Sequence, residues 1–337
     1  LNFIQILCAQ FPVDLAPNEI SDPFIYQVEQ DNEFLLTLTA STNTNWSLQD
    51  SESATLVVAV DGDWDNYNQD IVLYAGNTNH EYHVSLGSLT AGEHSIEFKF
   101  NYNKSSIGAD TIHIESANII DMSSINIDSD VLLHSPILYG RDLLSWNEST
   151  HTDIPLALFY QINEIGNNKK ITYSMIFSNE DSRVGLGLAD LMFSYGRTTD
   201  IEWMYEVTLD ENGDIISEIF QGPSHTTTNF NGNKIGRHPI LKNATLNCNF
   251  TDTGISDYKF QLMPYWNIEL NPREWIMDAW PWTYRLMGEE LINEDRYEQE
   301  ANPATVEMSD VRNYVYISYN GISYGENDNL ALSISFF

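Results

Sequence analysis

Residues 195–207 read YGRTTDIEWMYEV and place Arg197 ahead of three carboxylates, Asp200, Glu202 and Glu206, in a chain that holds 15 basic residues against 49 acidic ones. With 201–207 as a strand, Ile201, Trp203, Tyr205 and Val207 share its apolar face, and Asp200, Glu202, Met204 and Glu206 share the other. Carboxylates two residues apart on such a face stand ~6.5–7 Å apart at Cα. That spacing suits a protonated acid working beside an ionised base on a glycosidic bond. Asp200 and Glu202 are therefore the expected acid–base pair, with Arg197 positioning them or clamping a sugar carboxylate, and His151 as an auxiliary. The competing reading is a wet strand face with a surface ion pair.

A second acidic group lies in DGDWDNYNQD, where Asp61, Asp63, Asp65 and Asp70 could converge on a hard cation such as Ca2+. The loop lacks the sixth-position glycine and twelfth-position carboxylate of an EF-hand, and a solvated hairpin loop is the alternative. His151, His225 and His238 lie on turn-like segments whose spacings match no compact metal motif. Trp275, Trp280 and Trp282 fall within eight residues. Trp280 and Trp282, with His225, are the expected sugar contacts, because flat apolar ring faces stack on sugar rings, with core filling the competing reading for at least two of the three tryptophans. There is no Gly-x-Ser-x-Gly elbow, phosphate-binding glycine loop or His-Glu-x-x-His, so serine-hydrolase, nucleotide and zinc-protease readings have no motif behind them.

The elements that must carry these residues are short period-two segments: 34–41, 54–60, 94–100, 171–177, 201–207, 314–319 and 330–336. Turn signals separate them at Asp61-Gly62, Ala91-Gly92, Asn212-Gly213 and Asn320-Gly321. The pattern predicts an all-β chain of two antiparallel, jelly-roll-like β-sandwich domains, with one short helical and aromatic insertion near 271–297 interrupted by Pro281. The expected units are an apolar N-terminal segment (1–20), a binding or accessory sandwich (21–122) and a larger sandwich (132–337). The division rests on the polar run DMSSINIDSDV at 121–131 and on a shift in charge. All eight arginines lie at or after Arg141, whereas before it Lys99 and Lys104 stand against 20 acidic residues.

A formal charge of −34 repels phosphate backbones, which excludes nucleic acid as an expected partner, and it suits a salt-rich or calcium-rich extracellular setting. Five Asn-x-Ser/Thr acceptor patterns start at Asn45, Asn103, Asn147, Asn243 and Asn249. The opening LNFIQILCAQFPVD reads either as the tail of a secretory signal or as a first strand. If its start persists, Cys8 and Cys248 are the only cysteines available for a disulfide. No apolar run reaches the ~18 residues of a membrane span.

The segment LTAGEHSIEF (89–98) resembles the Leu-x-Ala-Gly-x-His-x-Ile strand-turn-strand of galactose-binding-like β-sandwiches, a group that includes many carbohydrate-binding modules. The resemblance implies a sugar-binding or accessory sandwich over roughly 56–100 and transfers no ligand residue. No family is recognised in the second half. The expected protein is thus a secreted, acidic binder of extracellular polysaccharide, with cleavage by paired carboxylates as a further step that no diagnostic motif decides. The alternative class is a calcium-stabilised surface subunit without catalysis that self-assembles into a homo-oligomer or filament by adding its N-terminal segment or its final NLALSISFF to a neighbouring sheet.

Overall fold

A computed structural model describes residues 11–66, 68–141, 154–178 and 188–300, together with isolated residues between 302 and 317. The chain is mostly β. Its first eight strands are β1 (Val13–Leu15), β2 (Phe24–Val28), β3 (Asn32–Thr42), β4 (Ala54–Val60), β5 (Asn68–Leu73), β6 (His80–Leu89), β7 (Gly92–Phe100) and β8 (Ile112–Asp121). They form two antiparallel sheets, ordered β1-β8-β3-β6 and β2-β7-β4-β5. β4, ATLVVAV, is buried at every position, and its sequence is accordingly a run of small and branched residues, apolar but for Thr55, rather than a clean alternation.

The LTAGEHSIEF segment is a strand-turn-strand of a particular kind. β6 belongs to one sheet and β7 to the other, so the Thr90-Ala91 turn carries the chain across the sandwich instead of back along a paired neighbour. Asp61-Gly62, by contrast, closes a hairpin between β4 and β5, with both residues at positive φ (55° and 68°).

The second half contributes β9 (Ile137–Tyr139), β10 (Pro155–Ile165), β11 (Asn168–Phe177), β12 (Ile201–Leu209), β13 (Ile215–Gly222), β14 (Thr226–Asn229), β15 (Lys234–Ile235), β16 (His238–Asn243), β17 (Phe250–Thr251), β18 (Lys259–Phe260) and β19 (Pro264–Asn267). One sheet runs β14-β13-β12-β11-β10-β19; the other runs β15-β16-β9-β18, with β17 against β16. The all-antiparallel expectation needs one correction. β19 joins β10, and β16 joins β9, in parallel, because long connections rather than hairpins return those strands to the sheet.

Four α-helices occur among the described residues: α1 (Ser129–Leu133), α2 (Leu188–Tyr195), α3 (Trp275–Ala279) and α4 (Trp282–Asn293). α3 and α4 are the expected helical and aromatic insertion. Pro281 sits at the N-cap of α4 and so separates the two. The expected strands at 314–319 and 330–336, the apolar opening to residue 10, Cys8, Asn147 and His151 lie largely or wholly outside the described residues.

The four sheets share one continuous apolar cluster, from Leu15 through Leu56, Leu138 and Phe159 to Met287. Polar ties reinforce it. The backbone N–H of Ser85 donates to the Gln261 carbonyl at 2.7 Å, and Val84 and Leu262 form a β-bridge. Trp46, fully buried, donates its indole N–H to the buried Glu290 of α4, and Asn293 returns a bond to the Trp46 carbonyl at 2.9 Å.

Candidate functional site

Two groups of side chains meet the conditions for function, and the helical insertion touches both. The first is a cavity of about 260 Å³ walled by β5 and β6 on one side and by the β10 entry, the β18–β19 segment and the α3–α4 corner on the other. Rings line it. Trp282 stacks on Tyr74 at 5.2 Å and 13° between planes, and His80 packs edge-on against both Trp282 (5.1 Å) and Tyr82 (4.9 Å). His80 and Tyr82 arrive together because they are two apart on β6 and so share a face.

The ring contacts continue outward. Trp280 lies 6.3 Å from Trp282, Trp266 lies 5.5 Å from Trp280, and Trp275 lies 5.9 Å from Trp266. Trp280, Trp282 and Trp266 are half-buried and Trp275 is exposed, so the track presents ring surface rather than closing into a core. Burial pushes the His80 imidazolium down to about 4, aided by the nearby Arg285 and His83 charges, and it raises the Tyr74 and Tyr82 phenols. Near neutral pH these cavity rings are therefore uncharged hydrogen-bonding groups set among apolar faces.

The second group is built around Glu202. The strand expectation for 201–207 holds, since β12 covers it, but the expected face does not. A bulge pairs Tyr173 with Tyr205 and Ser174 with Trp203, leaving Met204 as the extra residue and shifting the phase of everything before it. Met204, expected on the wet face, is fully buried; Asp200 and Glu202 are buried as well, and Trp203 is half-buried. Glu206 lies elsewhere, accepting from Thr172 Oγ1 at 2.8 Å and pairing with Lys170 at 3.0 Å.

The open strand face expected for Asp200 and Glu202 is thus a buried one, and Glu202 has several partners there. Glu202 accepts from Gln221 Nε2 at 2.6 Å, lies 3.5 Å from His225 Nδ1 and 3.6 Å from Arg273. Arg273 also reaches Glu274 at 3.4 Å, and Glu274 meets Arg197 at 3.5 Å. Burial pushes the Glu202 carboxyl up, against the pull of the Gln221 amide, Arg273, His225 and Arg197.

Backbone conformation delivers His225 to this place. Ser224 and His225 both adopt left-handed φ (59° and 58°), an uncommon state for non-glycine residues that clusters at functional sites. Gly222 makes the turn feasible: a Cβ there would stand 2.7 Å from Thr228 Oγ1 and 2.9 Å from Thr226 Oγ1. Gln221 Nε2 lies 2.8 Å from His225 Nδ1, so Nδ1 is occupied and Nε2 is the ring nitrogen left open.

Arg197, Glu202 and His225 were each singled out by sequence, and the structure assembles them. Gln221, Arg273 and Glu274 were missed. The one local hint was Arg273, one of eight arginines in a strongly acidic chain and set between a Pro and a Glu-Trp pair. Tyr74, His80, Tyr82 and Trp266 were missed as well, although the period-two run His80, Tyr82, Val84 carried a signal.

The four aspartates of DGDWDNYNQD do not converge. Asp61 is held by His94 Nδ1 at 2.7 Å and the Ser95 N–H at 2.8 Å, and Asp63 accepts from the Asp65 and Asn66 N–H groups. Asp70 is buried, with Lys104 Nζ 2.8 Å from each oxygen and the Lys259 N–H at 2.9 Å. Among the described residues no three His, Cys, Asp or Glu side chains are placed to hold a metal ion. A Ca2+ site on this loop would have to do without Asp70. Burial also corrects two glycosylation sites, since Asn243 (1% exposed) and Asn249 (2%) offer no accessible amide for a glycan; Asn45 and Asn103 are exposed. Cys248 is buried, and its proposed partner Cys8 lies outside the described residues.

No family model matches the chain, and no curated protein matches it. Local structural overlaps exist. One is with an insecticidal delta-endotoxin of Bacillus thuringiensis (10% identity, 33% of this chain but only 19% of the toxin, TM-score 0.25). Others are with NLPPya, solved in complex with mannosamine (11% identity, 44% of this chain and 75% of that one, TM-score 0.29), and with the C-terminal domain of EclA, a sugar-binding protein (12% identity, 33% and 79%, TM-score 0.23). Overlaps of this extent are partial, and the architecture above rests on this chain's own strand pairing.

Proposed function

We propose that this protein is a secreted glycan-binding protein that holds a sugar ring in the aromatic cavity between its two pairs of sheets. The observation that carries the reading is the Tyr74–Trp282 stack with His80 and Tyr82 beside it, continued by half-exposed tryptophans. Flat ring faces cover the apolar face of a sugar, and the polar atoms beside them are held in place, Tyr74 Oη 3.1 Å from His80 Nε2 and Tyr82 Oη accepting from the Ala75 N–H at 3.3 Å. Ring surface left half-open in a water-soluble fold is otherwise an unfavourable arrangement. Secretion follows from the same reading together with the acidic charge and the exposed acceptor asparagines.

Titration calorimetry against a panel of neutral oligosaccharides tests it. Trp282→Ala is expected to weaken binding by about tenfold or more, the scale of removing a central aromatic contact. Because Trp282 also packs on the core, Trp280→Ala serves as a second variant, with thermal melting to confirm that each remains folded. Wild-type protein that binds none of the panel, or a folded Trp282→Ala variant that binds as tightly as wild type, would sink the reading.

A further inference from the structure

We propose that Arg273 and His225 form a second subsite that takes an anionic substituent, a carboxylate or a sulfate, on a glycan whose neutral rings occupy the aromatic track. The inference rests on the glycan-binding reading for its ligand and on separate residues for its chemistry.

The track leads to this point. Its last ring, Trp275, follows Glu274 directly in the chain, and Arg273 and Glu274 reach the Glu202 group from the residues that open α3. The donors there face outward and their counter-charges lie behind. The His225 side chain is 56% exposed and that of Arg273 37%, whereas Glu202 is 8% exposed and Arg197 5%. Glu274, at 30%, is the acidic side chain that shares the opening.

Arg273 is held loosely by its own carboxylates. Its contacts of 3.6 Å to Glu202 and 3.4 Å to Glu274 exceed the ~2.7–2.9 Å of a charge-assisted hydrogen bond, so the planar donor fork has unspent capacity for a bidentate anion. Beside it, Gln221 occupies Nδ1 of His225 and leaves Nε2 without a partner among the described residues. Two donors, one a permanent cation and one held in place by two consecutive left-handed residues, therefore stand partly exposed against the same carboxylate, Glu202, in a chain of charge −34. In such a chain a place that presents donors to solvent is selective, because the rest of the surface repels anions.

The test uses the full chain and three oligosaccharides of equal length: a uronate polymer fragment, the same fragment with its carboxyls reduced, and a sulfated neutral counterpart. Calorimetry at low salt is expected to show the uronate or the sulfated sugar binding at least about tenfold tighter than the reduced one. Arg273→Ala and His225→Ala are each expected to shrink that advantage severalfold while leaving affinity for the reduced sugar unchanged, and added salt to shrink it as well. Whichever charged sugar carries the advantage identifies the anion. Equal affinity for all three sugars would overturn the subsite and leave the aromatic cavity standing. A loss shared equally by charged and reduced sugars in Arg273→Ala would assign the arginine a structural role and overturn it too. No binding of any of the three would remove both readings together.

Discussion

Asp70→Ala is expected to lower the free energy of unfolding by about 3 kcal/mol, the scale of removing one partner from a buried ion pair. Asp70 is 2% exposed, and it binds Lys104 through both oxygens and the Lys259 N–H through one. Burial pushes its carboxyl up, against the pull of those lysine contacts, so the ion pair is held under opposing forces and is sensitive to loss of either partner. Removing the carboxylate leaves Lys104 with the Asp257 carbonyl and the face of Tyr258, 4.8 Å from its nitrogen, and strips the acceptor from a backbone amide of β18. Because Lys104 and Asp70 belong to the first half while Asp257, Tyr258 and Lys259 belong to the second, the clasp spans the two pairs of sheets. Asp70→Asn, which keeps an acceptor, is expected to lose about half as much, and Lys104→Met added to Asp70→Ala to recover part of the deficit. Urea unfolding of the four proteins measures this. A loss under about 1 kcal/mol in Asp70→Ala, unchanged in the double variant, would mean the clasp contributes little.

The same residue shows where local sequence reading stops. Asp70 stood in the sequence as one of four carboxylates near a turn, and nothing within that loop announces the lysines, because Lys104 and Lys259 are distant along the chain. Strands were a different matter. The stretches 54–60, 94–100, 171–177 and 201–207 all fall within observed strands, since strand-forming composition is a local property, even where β4 is buried at every position and β12 carries a bulge instead of alternating. What local pattern could not carry was the partner of each strand: the parallel returns of β19 and β16, and the crossing of β6 to β7 between sheets, depend on long connections.

The Met204 bulge is the sharpest case. It arises from a mismatch in register between β11 and β12, so no residue of β12 marks it, yet it moves Glu202 from an expected open face into a buried contact with Gln221. Glu202, His225 and Arg197 were conspicuous singly because charged residues are costly to place where they have no partners. Their meeting required the Ser224–His225 turn, with its two left-handed residues, in the hairpin between β13 and β14. The aromatic cavity was half visible for a similar reason. The tryptophans crowd one segment, but Tyr74, just past β5, and His80 and Tyr82, on β6, come about two hundred residues earlier.

Acid is expected to destabilise the fold well above the ordinary carboxylate range, and His134 is expected to be a main cause. The ring is 1% exposed, and neither nitrogen has a hydrogen-bond partner among the described residues. Burial, with Arg237 and Lys234 nearby, pushes its imidazolium down to about 4, and His80 is likewise held down to about 4. A base whose folded pKa lies below its unfolded value binds fewer protons in the fold. Stability is then whole above pH 6.5, declines as pH falls from 6.5 toward about 4, and levels off below that. Each ring contributes on the order of 2–3 kcal/mol across the window. His94, raised by its bonds to the Thr90 carbonyl and Asp61, His113, raised by Asp14 and Glu115, and the raised Asp70 and Glu202 carboxyls act in the opposite sense. His134→Leu removes two unbonded buried nitrogens and the titration together, so it should raise Tm at pH 7 and flatten the fall in Tm between pH 6.5 and 5. A Tm-against-pH curve for His134→Leu that runs parallel to wild type would show that this buried ring does not set the acid response.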